Sequence, residues 1–273
     1  MPATSALDTV TCAWWGRAMG NPPRVERTDD VVTLTLCRPE KRNALSRDHL
    51  TQLLAAVRTV AASDATALVV AAEGPVFSAG HDFADVAGAP LADVRSLLAL
   101  CTELMQTLHE VPQVVVARVH ALATAAGAQL VASCDLAVAA ESAGFAAPGG
   151  KGGWFCHTPM VPIARNVGRK RAMELALTGD VIDARTALDW GLVNRVVPDE
   201  ELDAAVADLV HRATRGSRAS KAWGKQALYA QLDRPEADAY LQAVETMAAA
   251  SQLEGAREGM AAFLGKRTPH WTD

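Results

Sequence analysis

The apolar positions in the first two-thirds of the chain predict strands that alternate with helices. Short runs rich in β-branched residues predict buried strands at Val31–Leu36, Ala67–Ala72 and Val114–Val119. Two further strands are predicted at residues 135–140 and 193–197. Between these runs, leucines and valines recur three and four positions apart, which is the spacing of one face of a helix.

Four helices are predicted in this part of the chain, and two of them carry sequence signals at their ends. They lie directly after Ser46 and at residues 91–109, 169–177 and 183–190. Ser46 is a typical N-cap, because its side-chain oxygen can accept a hydrogen bond from a first-turn amide. Gly191 stands where a helix C-cap favours glycine. The intervening residues 146–153 hold four glycines and one proline and are predicted to form a loop.

The pattern changes in the last third, where nearly every residue from 200 to 264 fits an Ala-rich amphipathic helix. Strands alternating with helices, followed by helices alone, predict an α/β fold class with a helical C-terminal part. We therefore divide the chain into an α/β core at residues 24–198 and a helical region at residues 199–273. Residues 1–23 are mostly small, polar or turn-forming and are predicted to be a poorly ordered extension.

One stretch joins a predicted strand to a turn of small residues and then to a helix. After Val114–Val119 the chain reads Ala-Thr-Ala-Ala-Gly at residues 123–127 and continues at helical spacing. Small residues let a ligand approach the backbone, and the first amides of a helix have no intrahelical partner. Since these amides coincide with the positive end of the helix dipole, the helix start is a candidate anion site. Tight packing of the helix on the strand explains the same small residues equally well.

Composition narrows the class of protein. The chain has 273 residues, of which 50% are hydrophobic and 21% are charged, as expected for a soluble globular protein. Aromatic residues make up only 5%, so the core must be built mainly from alanine, valine and leucine. The net charge of −5 gives no support to binding of nucleic acids or acidic membranes.

The cysteines and the lengths of the apolar runs bear on the compartment. Five cysteines, an odd number without metal-ligand spacing, predict reduced thiols rather than a disulfide framework or a metal site. No apolar run is long enough to span a bilayer, and the N-terminus lacks the features of a secretory signal. The sequence therefore predicts a cytoplasmic protein that does not bind membranes.

Several motifs resemble those of the enoyl-CoA hydratase/isomerase (crotonase) superfamily, in the same order and at similar separations. They are L-C-R-P-E-K-R-N-A-L at residues 36–45, F-S-A-G-H-D at 77–82 and A-T-A-A-G-A-Q-L-V-A-S-C-D at 123–135, followed by shorter matches at 145–148, 177–193 and 258–266. The resemblance covers about residues 25–267. It implies a crotonase-like spiral of ββα units, a C-terminal helical trimerisation region, and trimers that often pair into hexamers. It also implies a coenzyme A thioester as substrate, with no permanently bound cofactor.

The resemblance further implies a shared chemistry, in which two backbone amides stabilise a thioester enolate. By motif position the donors are the N–H groups of His81 and Ala126. Each such donor is typically worth about 2.7–4 kcal/mol in the transition state. The family usually has glycine at the second position. Ala126 keeps the N–H and adds only a methyl group, so we expect this donor to survive.

Other positions match those at which the family binds coenzyme A. The resemblance implies CoA contacts from Lys41, Arg42 and Ala44, and nucleotide contacts from Phe263 and Lys266 near the C-terminus. The last two residues also fit simpler roles, a capping aromatic ring and a solvated charge. The substrate passage is implied to be lined by Ala79, Gly80, Asp82, Phe83, Ala125 and Pro148.

Two positions depart from the pattern of family hydratases, which use two glutamates to handle water and its proton. The first glutamate position holds Gln129, and the second holds Gly149. A carboxamide can orient water but cannot accept its proton at neutral pH, and glycine supplies no group. A positioned acid–base group is typically worth about 10²- to 10⁴-fold in rate, so ordinary hydration is expected to be slow.

Two neighbouring side chains are candidates to replace the missing glutamates. Cys156 and His157 follow the glycine-rich loop, near where relatives such as the 4-chlorobenzoyl-CoA dehalogenases place a nucleophilic aspartate. Residues adjacent in sequence form a catalytic dyad only if their side chains meet, and a buried, inert thiol is the more common outcome. The ring of His81 is a weaker candidate, because the motif geometry usually turns it away from the substrate.

The leading prediction is an acyl-CoA-binding enzyme of the enoyl-CoA hydratase/isomerase group, of lyase or isomerase type. Two alternatives stay open: a non-catalytic acyl-CoA-binding or regulatory protein, and a crotonase-fold thioesterase, decarboxylase or isomerase. RNA binding is disfavoured by the acidic net charge and the lack of a basic stripe. The expected partners are an acyl-CoA or enoyl-CoA and further copies of this chain in a homotrimer or homohexamer.

Overall fold

The structure, a computed structural model, describes residues 21–272. Most of the predicted N-terminal extension, residues 1–20, lies outside the described residues. At the start of the described part, the Asn21 carbonyl accepts a hydrogen bond of 2.9 Å from Nε of Arg38. Within residues 21–272, no helix has the length and apolar character that crossing a membrane requires.

The described residues form nine strands and ten α-helices. The strands are β1 Arg24–Thr28, β2 Val31–Leu36, β3 Ala67–Ala72, β4 Val114–Val119, β5 Ala123–Thr124, β6 Leu136–Ala140, β7 Gly144–Ala146, β8 Ile182–Asp183 and β9 Arg195–Val197. The helices are α1 Arg47–Ala61, α2 Leu91–Glu110, α3 Ala126–Ala132, α4 Met160–Val167, α5 Arg169–Thr178, α6 Ala184–Trp190, α7 Leu202–Thr214, α8 Arg218–Gln231, α9 Glu236–Ala250 and α10 Glu254–Leu264. Short 3-10 turns lie at Pro39–Lys41, Phe83–Asp85 and Asp199–Glu201.

The main sheet has six strands in the order β1-β2-β3-β4-β6-β9. Only the β1–β2 hairpin is antiparallel, and the other neighbours in this sheet are parallel. Parallel strands need cover on both faces, and all six residues of β3 are buried. One face joins the large core with α1, α2 and α3, while α7 covers the other through Leu202, Val206 and Val210.

A second, smaller sheet of β5, β7 and β8 holds the start of α3. Ala123 and Thr124, predicted as part of a turn, form β5 and pair in parallel with Phe145 and Ala146 of β7. Beyond β5 the Ala125 amide donates to the Ala146 carbonyl at 2.9 Å. The predicted turn at residues 123–127 is therefore corrected to a two-residue strand, one turn residue and the first residues of α3.

Most of the predicted elements are confirmed, and the differences have local causes. The strand predicted at residues 135–140 begins one residue later, because the Asp135 carboxylate accepts the Val115 amide. The strand predicted at 193–197 begins at Arg195, because the Asn194 side chain accepts the Ala137 amide. The predicted caps are confirmed: Ser46 accepts the His49 amide, and Gly191 is left-handed.

Helix α4 was not predicted. Its sequence contains Pro162, which usually signals a break, but this proline lies in the first turn, where its missing N–H is not needed. The C-terminal part is helical, as predicted, and is divided into the four helices α7 to α10. Helix α9 has exposed apolar side chains, among them Leu241, Val244 and Met247. The predicted trimerisation through this helical region stays a prediction.

Candidate functional site

A cavity of about 500 Å³ lies between the loop after β3, the start of α3 and the loop after β7. The lining includes Ala79, His81 and Phe83 of the first loop, most residues between 148 and 159, and Leu98 of α2. Among residues 21–272, no aspartate or glutamate lines this cavity. The same residues contain no cluster of three or more His, Cys, Asp or Glu side chains that could hold a metal ion.

The loop before the cavity is clamped between two other segments. On one side the Leu45 amide donates to the Gly80 carbonyl at 2.7 Å. On the other side the Thr124 amide donates to the Ser78 carbonyl at 3.0 Å. Asn43, which is fully buried, holds the first segment through its side chain, accepting from the Arg38 amide and donating to two backbone carbonyls. These bonds fix the backbone that leads to His81.

The clamped loop brings the backbone before His81 directly against Ala126. A Cβ atom placed on Gly80, whose φ is +87°, would lie 3.1 Å from the Ala126 nitrogen and 2.9 Å from the Ala125 Cβ. Glycine is therefore required here both by the conformation and by the space. Neither the His81 N–H nor the Ala126 N–H donates to another group of residues 21–272, and both residues line the cavity. Two adjacent free donors can hold one oxygen atom that gains negative charge.

The backbone at Ala125 sets the direction of the second donor. Ala125 has φ 52° and ψ −119°, a conformation that residues with a side chain rarely adopt and that typically costs about 1–3 kcal/mol. Its amide is bound to Ala146, so the surrounding sheet maintains the conformation. Helix α3 is only seven residues long, so the anion site predicted at its start depends on the amide itself rather than on a long helix dipole.

The second glutamate position, Gly149, has no room for a side chain. A Cβ atom there would lie 2.1 Å from the Trp154 carbonyl oxygen and 2.7 Å from Sγ of Cys156. The Gly149 carbonyl also accepts the Trp154 amide at 2.8 Å, which closes the loop into a tight turn. The thiol of Cys156 therefore occupies the space into which a glutamate at position 149 would extend.

Cys156 and His157 both line the cavity but are not hydrogen-bonded to each other in the described structure. Cys156 is buried, and burial raises the pKa of its thiol, with a smaller opposing effect from the Gly149 backbone. At neutral pH the thiol is therefore protonated and is a proton donor rather than a base. His157 is exposed, and its ring lies 5.0 Å from that of Phe155.

The ring of His81 is held within the wall of the cavity. Its Nδ1 lies 3.4 Å from the Leu45 carbonyl, and its Nε2 is buried without a hydrogen-bond partner among residues 21–272. Burial lowers the pKa of this ring, so it is neutral at neutral pH. The ring packs against Trp154 at a centroid distance of 6.3 Å. Its inaccessible Nε2 is consistent with a role for the His81 backbone rather than for its side chain.

The first glutamate position, Gln129, is buried on α3 and does not belong to the cavity lining in the described structure. Its Oε1 has no hydrogen-bond partner among residues 21–272. The Gln129 carboxamide is therefore a buried group of α3 and not part of the cavity surface in the described structure.

The residues matched to CoA binding fall into two groups. Ala79, Phe83, Ala125 and Pro148 line the cavity, as predicted for a substrate passage. Elsewhere, exposed Lys41 and Arg42 lie on the loop beside Ala79, whose amide donates to the Arg42 carbonyl, and Ala44 is half-buried. The Asp82 side chain accepts the Ala84 amide and caps a 3-10 turn. The described part of one chain does not bring Phe263 or Lys266 to the cavity.

Sequence reasoning missed three residues that shape this site. Asn43 organises the loop before the cavity from a left-handed conformation, φ 50°, that asparagine tolerates well. Trp154 and Phe155 contribute two large aromatic side chains to the cavity lining, which we call the aromatic wall. The available signal was the presence of two adjacent aromatic residues after a glycine-rich loop in a chain poor in aromatics.

Comparisons with known proteins identify the family and the fold. The family model for enoyl-CoA hydratase/isomerase matches residues 26–273. The crystal structure of an enoyl-CoA hydratase from Mycobacterium smegmatis is 43% identical with a TM-score of 0.89, covering 93% of this chain and 100% of that one. The human enoyl coenzyme A hydratase domain-containing protein 3 is 38% identical with a TM-score of 0.88, over 92% and 100%.

A relative from Rattus norvegicus, enoyl-CoA hydratase domain-containing protein 3, mitochondrial, is 40% identical over 92% of this chain and 85% of its own length. The predicted α/β crotonase-like fold is confirmed by these neighbours. The match to the family model over nearly the whole chain, together with these identities, shows that the chain belongs to the enoyl-CoA hydratase/isomerase family.

Proposed function

We propose that this chain binds an acyl-CoA thioester in the cavity, with the thioester oxygen between the N–H groups of His81 and Ala126. The observation that carries the proposal is the juxtaposition of two unpaired amides in a cavity that no carboxylate lines in the described structure. Family membership supports a CoA thioester as the ligand. Each donor contributes about 2.7–4 kcal/mol once the oxygen carries the charge of an enolate.

Ordinary hydration is slow in this proposal because neither glutamate position supplies a proton carrier. Gln129 is enclosed within α3, and the space beside Gly149 is filled by Cys156. Attack of water on an enoyl group needs a base to accept the water proton. Nε2 of His81 is buried and the Cys156 thiol is protonated, so neither side chain provides that base.

The protonated thiol favours a different reaction type, decarboxylation of a 2-carboxyacyl thioester. The bond to the carboxylate breaks, carbon dioxide leaves, and the electron pair enters the enolate without any base. The Cys156 S–H then gives its proton to the α carbon, and the thiolate regains a proton from water. Most of the lining is apolar, and the lining Lys151 is paired with Asp180. A substrate carboxylate is therefore poorly solvated there, while the enolate charge is held by the two amides.

The remaining contacts of the proposal come from the family match. Lys41, Arg42 and Ala44 are proposed to bind the CoA portion, with Phe263 and Lys266 covering its nucleotide. A homotrimer or homohexamer is proposed as the assembly. The cytoplasmic location predicted from the sequence receives no support from the rat relative, whose name includes mitochondrial.

The test compares a thioester with a ligand that lacks its oxygen. Butyryl-CoA and S-butyl-CoA, a thioether, are titrated calorimetrically against the native chain and against Ala126→Pro, which deletes the N–H. Proline is tolerated at the first helical position, and circular dichroism checks that the variant is folded. We expect about tenfold tighter binding of the thioester by the native chain and loss of that preference in the variant. Equal native affinities would overturn the proposed role of the amides, and this comparison does not depend on the variant.

The same protein is then assayed with crotonyl-CoA, malonyl-CoA and butyryl-CoA for hydration, carbon dioxide release and hydrolysis. We expect slow hydration and measurable carbon dioxide release that falls at least tenfold in Cys156→Ala, with Cys37→Ala as the control outside the cavity. Rapid loss of the enoyl chromophore would show hydration and contradict the conclusion that the cavity lacks a base for it. Binding with the carbonyl preference but without turnover of any thioester would favour the non-catalytic alternative.

A further inference from the structure

Aromatic side chains are concentrated in the cavity although they are scarce in the chain. The sequence contains five phenylalanines, six tryptophans and two tyrosines, only 5% of its residues. Three of them, Phe83, Trp154 and Phe155, line this one cavity, together with the imidazole-bearing residues His81 and His157. A cavity selected only for apolar character would draw on the alanines, valines and leucines that build the rest of the core.

The rings are arranged with uncovered surface towards the cavity mouth. Phe83 and Trp154 meet edge to face at 6.2 Å with an interplanar angle of 62°, and Phe155 meets His157 at 5.0 Å and 55°. Phe83 is 68% exposed and Trp154 is 37% exposed. Large apolar rings left open at a cavity mouth mark a binding surface. Because the pairs are tilted rather than stacked, ring faces and edges remain free for a third ring.

The aromatic wall adjoins the place where the acyl carbons of the proposed substrate lie. Trp154 and Phe155 directly precede Cys156 in the chain, and the Trp154 carbonyl oxygen is the nearest of the three atoms that exclude a side chain from Gly149. Trp154 also contacts the ring of His81, whose amide is one of the proposed oxygen donors. The rings therefore stand beside the reacting end of a thioester held at His81 and Ala126.

We propose that the acyl group bound here is aromatic, an arylacyl thioester whose ring packs against Trp154 and Phe155. This inference rests on the proposed function, since it assigns the acyl part of the same ligand. An aromatic ring presents a positive edge and a negative face to the tilted rings around it, whereas a saturated acyl chain gains only burial. No carboxylate lines the cavity in the described structure, and the lining cation Lys151 is paired with Asp180, so an uncharged ring leaves no lining charge without a partner.

A matched pair of ligands separates aromatic recognition from simple burial. Phenylacetyl-CoA and cyclohexylacetyl-CoA have the same number of ring carbons, but the cyclohexyl group is saturated and more hydrophobic. Their dissociation constants are measured by calorimetry with the native chain, Trp154→Leu and Trp223→Leu. Trp223 is an exposed tryptophan of α8 outside the cavity and is therefore the matched control.

We expect the native chain and Trp223→Leu to bind phenylacetyl-CoA about three- to tenfold more tightly than cyclohexylacetyl-CoA. In Trp154→Leu the ratio should fall to about one or invert, and Phe155→Leu gives a second readout if that variant fails to fold. Equal or tighter binding of cyclohexylacetyl-CoA by the native chain overturns the inference. If butyryl-CoA binds with its carbonyl preference while phenylacetyl-CoA does not bind, the aromatic assignment fails and the proposed function stands. If no thioester binds, both fail.

Discussion

The polar groups at the two ends of helix α3 differ in whether they have hydrogen-bond partners. At its start, Ala125 is strained and the amide of Ala126 has no partner in the described structure. Just beyond its end, Asp135 is almost buried and its carboxylate accepts from the Val115 amide at 2.8 Å, from the Lys225 ammonium at 2.8 Å and from the Tyr229 hydroxyl at 2.9 Å.

The side chains that bind Asp135 make further contacts of their own. The Lys225 ammonium also donates to the carbonyls of Leu108 and Gln113, both at 2.8 Å. The ring of His109 stacks on Tyr229 at 4.0 Å. Burial lowers the pKa of Lys225, and the nearby carboxylate opposes this effect. These bonds attach α8 to α2 and the main sheet, so the helical region is fixed to the core.

The difference between the two ends separates stability from function. The backbone conformation of Ala125 typically costs about 1–3 kcal/mol, so the start of α3 is maintained at the expense of stability. A donor that is already paired cannot bind a ligand without breaking its bond. The start of α3, which we call the unsatisfied end, therefore has an N–H that is available to a ligand. The hydrogen bonds of Asp135, just beyond the other end, which we call the satisfied end, stabilise the fold.

Removing the carboxylate from the satisfied end is expected to have the largest effect on stability. Asp135→Ala leaves the Lys225 ammonium buried without its counter-charge and the Val115 amide without an acceptor. Breaking one partner of a buried pair costs about 3–5 kcal/mol, which we expect as a fall in the free energy of unfolding in urea. The control is Asp64→Ala, which removes the exposed partner of Arg27 and should barely shift the unfolding midpoint. A loss under about 1 kcal/mol for Asp135→Ala would contradict this account.

Low pH is expected to lower the free energy of unfolding through His49, which lies near the segment that contacts the loop before the cavity. His49 of α1 is fully buried beside the Ala44 carbonyl, in the segment that binds Gly80, and burial lowers its pKa to about 4. The unfolded chain protonates this residue near pH 6.5, so it binds more protons than the folded chain between those values. Stability from His49 is complete above pH 6.5 and is lost as the pH falls towards 4, by about 3 kcal/mol in total.

Urea unfolding of the native chain and of His49→Gln between pH 7 and pH 4 measures this contribution. The difference between their pH profiles isolates His49 from the other groups that titrate in acid. His211→Gln, at an exposed position of α7, should retain the native profile. Parallel profiles for His49→Gln and the native chain would show that His49 is not a source of acid lability.

Relieving the backbone strain at Ala125 is expected to have the smallest effect on the free energy of unfolding, and to increase it rather than decrease it. Ala125→Gly removes a conformational cost of about 1–3 kcal/mol, against an entropy penalty for glycine of about 0.5–1 kcal/mol. We expect a gain of about 1 kcal/mol in the free energy of unfolding. Ala128→Gly is the matched control inside the same helix and should lose about that amount. Destabilisation by both variants would mean that Ala125 is not strained.

Local sequence patterns predicted the elements that surround the site. The three strands Val31–Leu36, Ala67–Ala72 and Val114–Val119 were predicted with the observed bounds, because their apolar runs end at polar or turn residues. Helix α4 and the strands β1, β5, β7 and β8 were not predicted. Several of these depend on neighbours distant in sequence: Asn166 of α4 donates to the Ala132 carbonyl, and β7 pairs with both β5 and β8.

The candidate site was predicted only in part. Several residues selected by motif position line one cavity, including His81, Ala126, Gly149 and Cys156, and their roles stay predictions. They did not reveal the aromatic wall, because a tryptophan after a glycine-rich loop has no defined direction until the loop is folded. They also did not reveal that Gln129 is enclosed, since a position on a helix does not state what packs over it.

The sequence by itself determined the family, the alternation of strands and helices, and the identity of the residues at both glutamate positions. These features are encoded by spacing along the chain, so no distant contact is needed to read them. Only the tertiary structure decided that the Cys156 thiol and the Trp154 carbonyl leave no space beside Gly149, and that Gly80 lies directly against the Ala126 amide. Both are close approaches between separate segments, and packing of the whole core sets them to within a few tenths of an ångström.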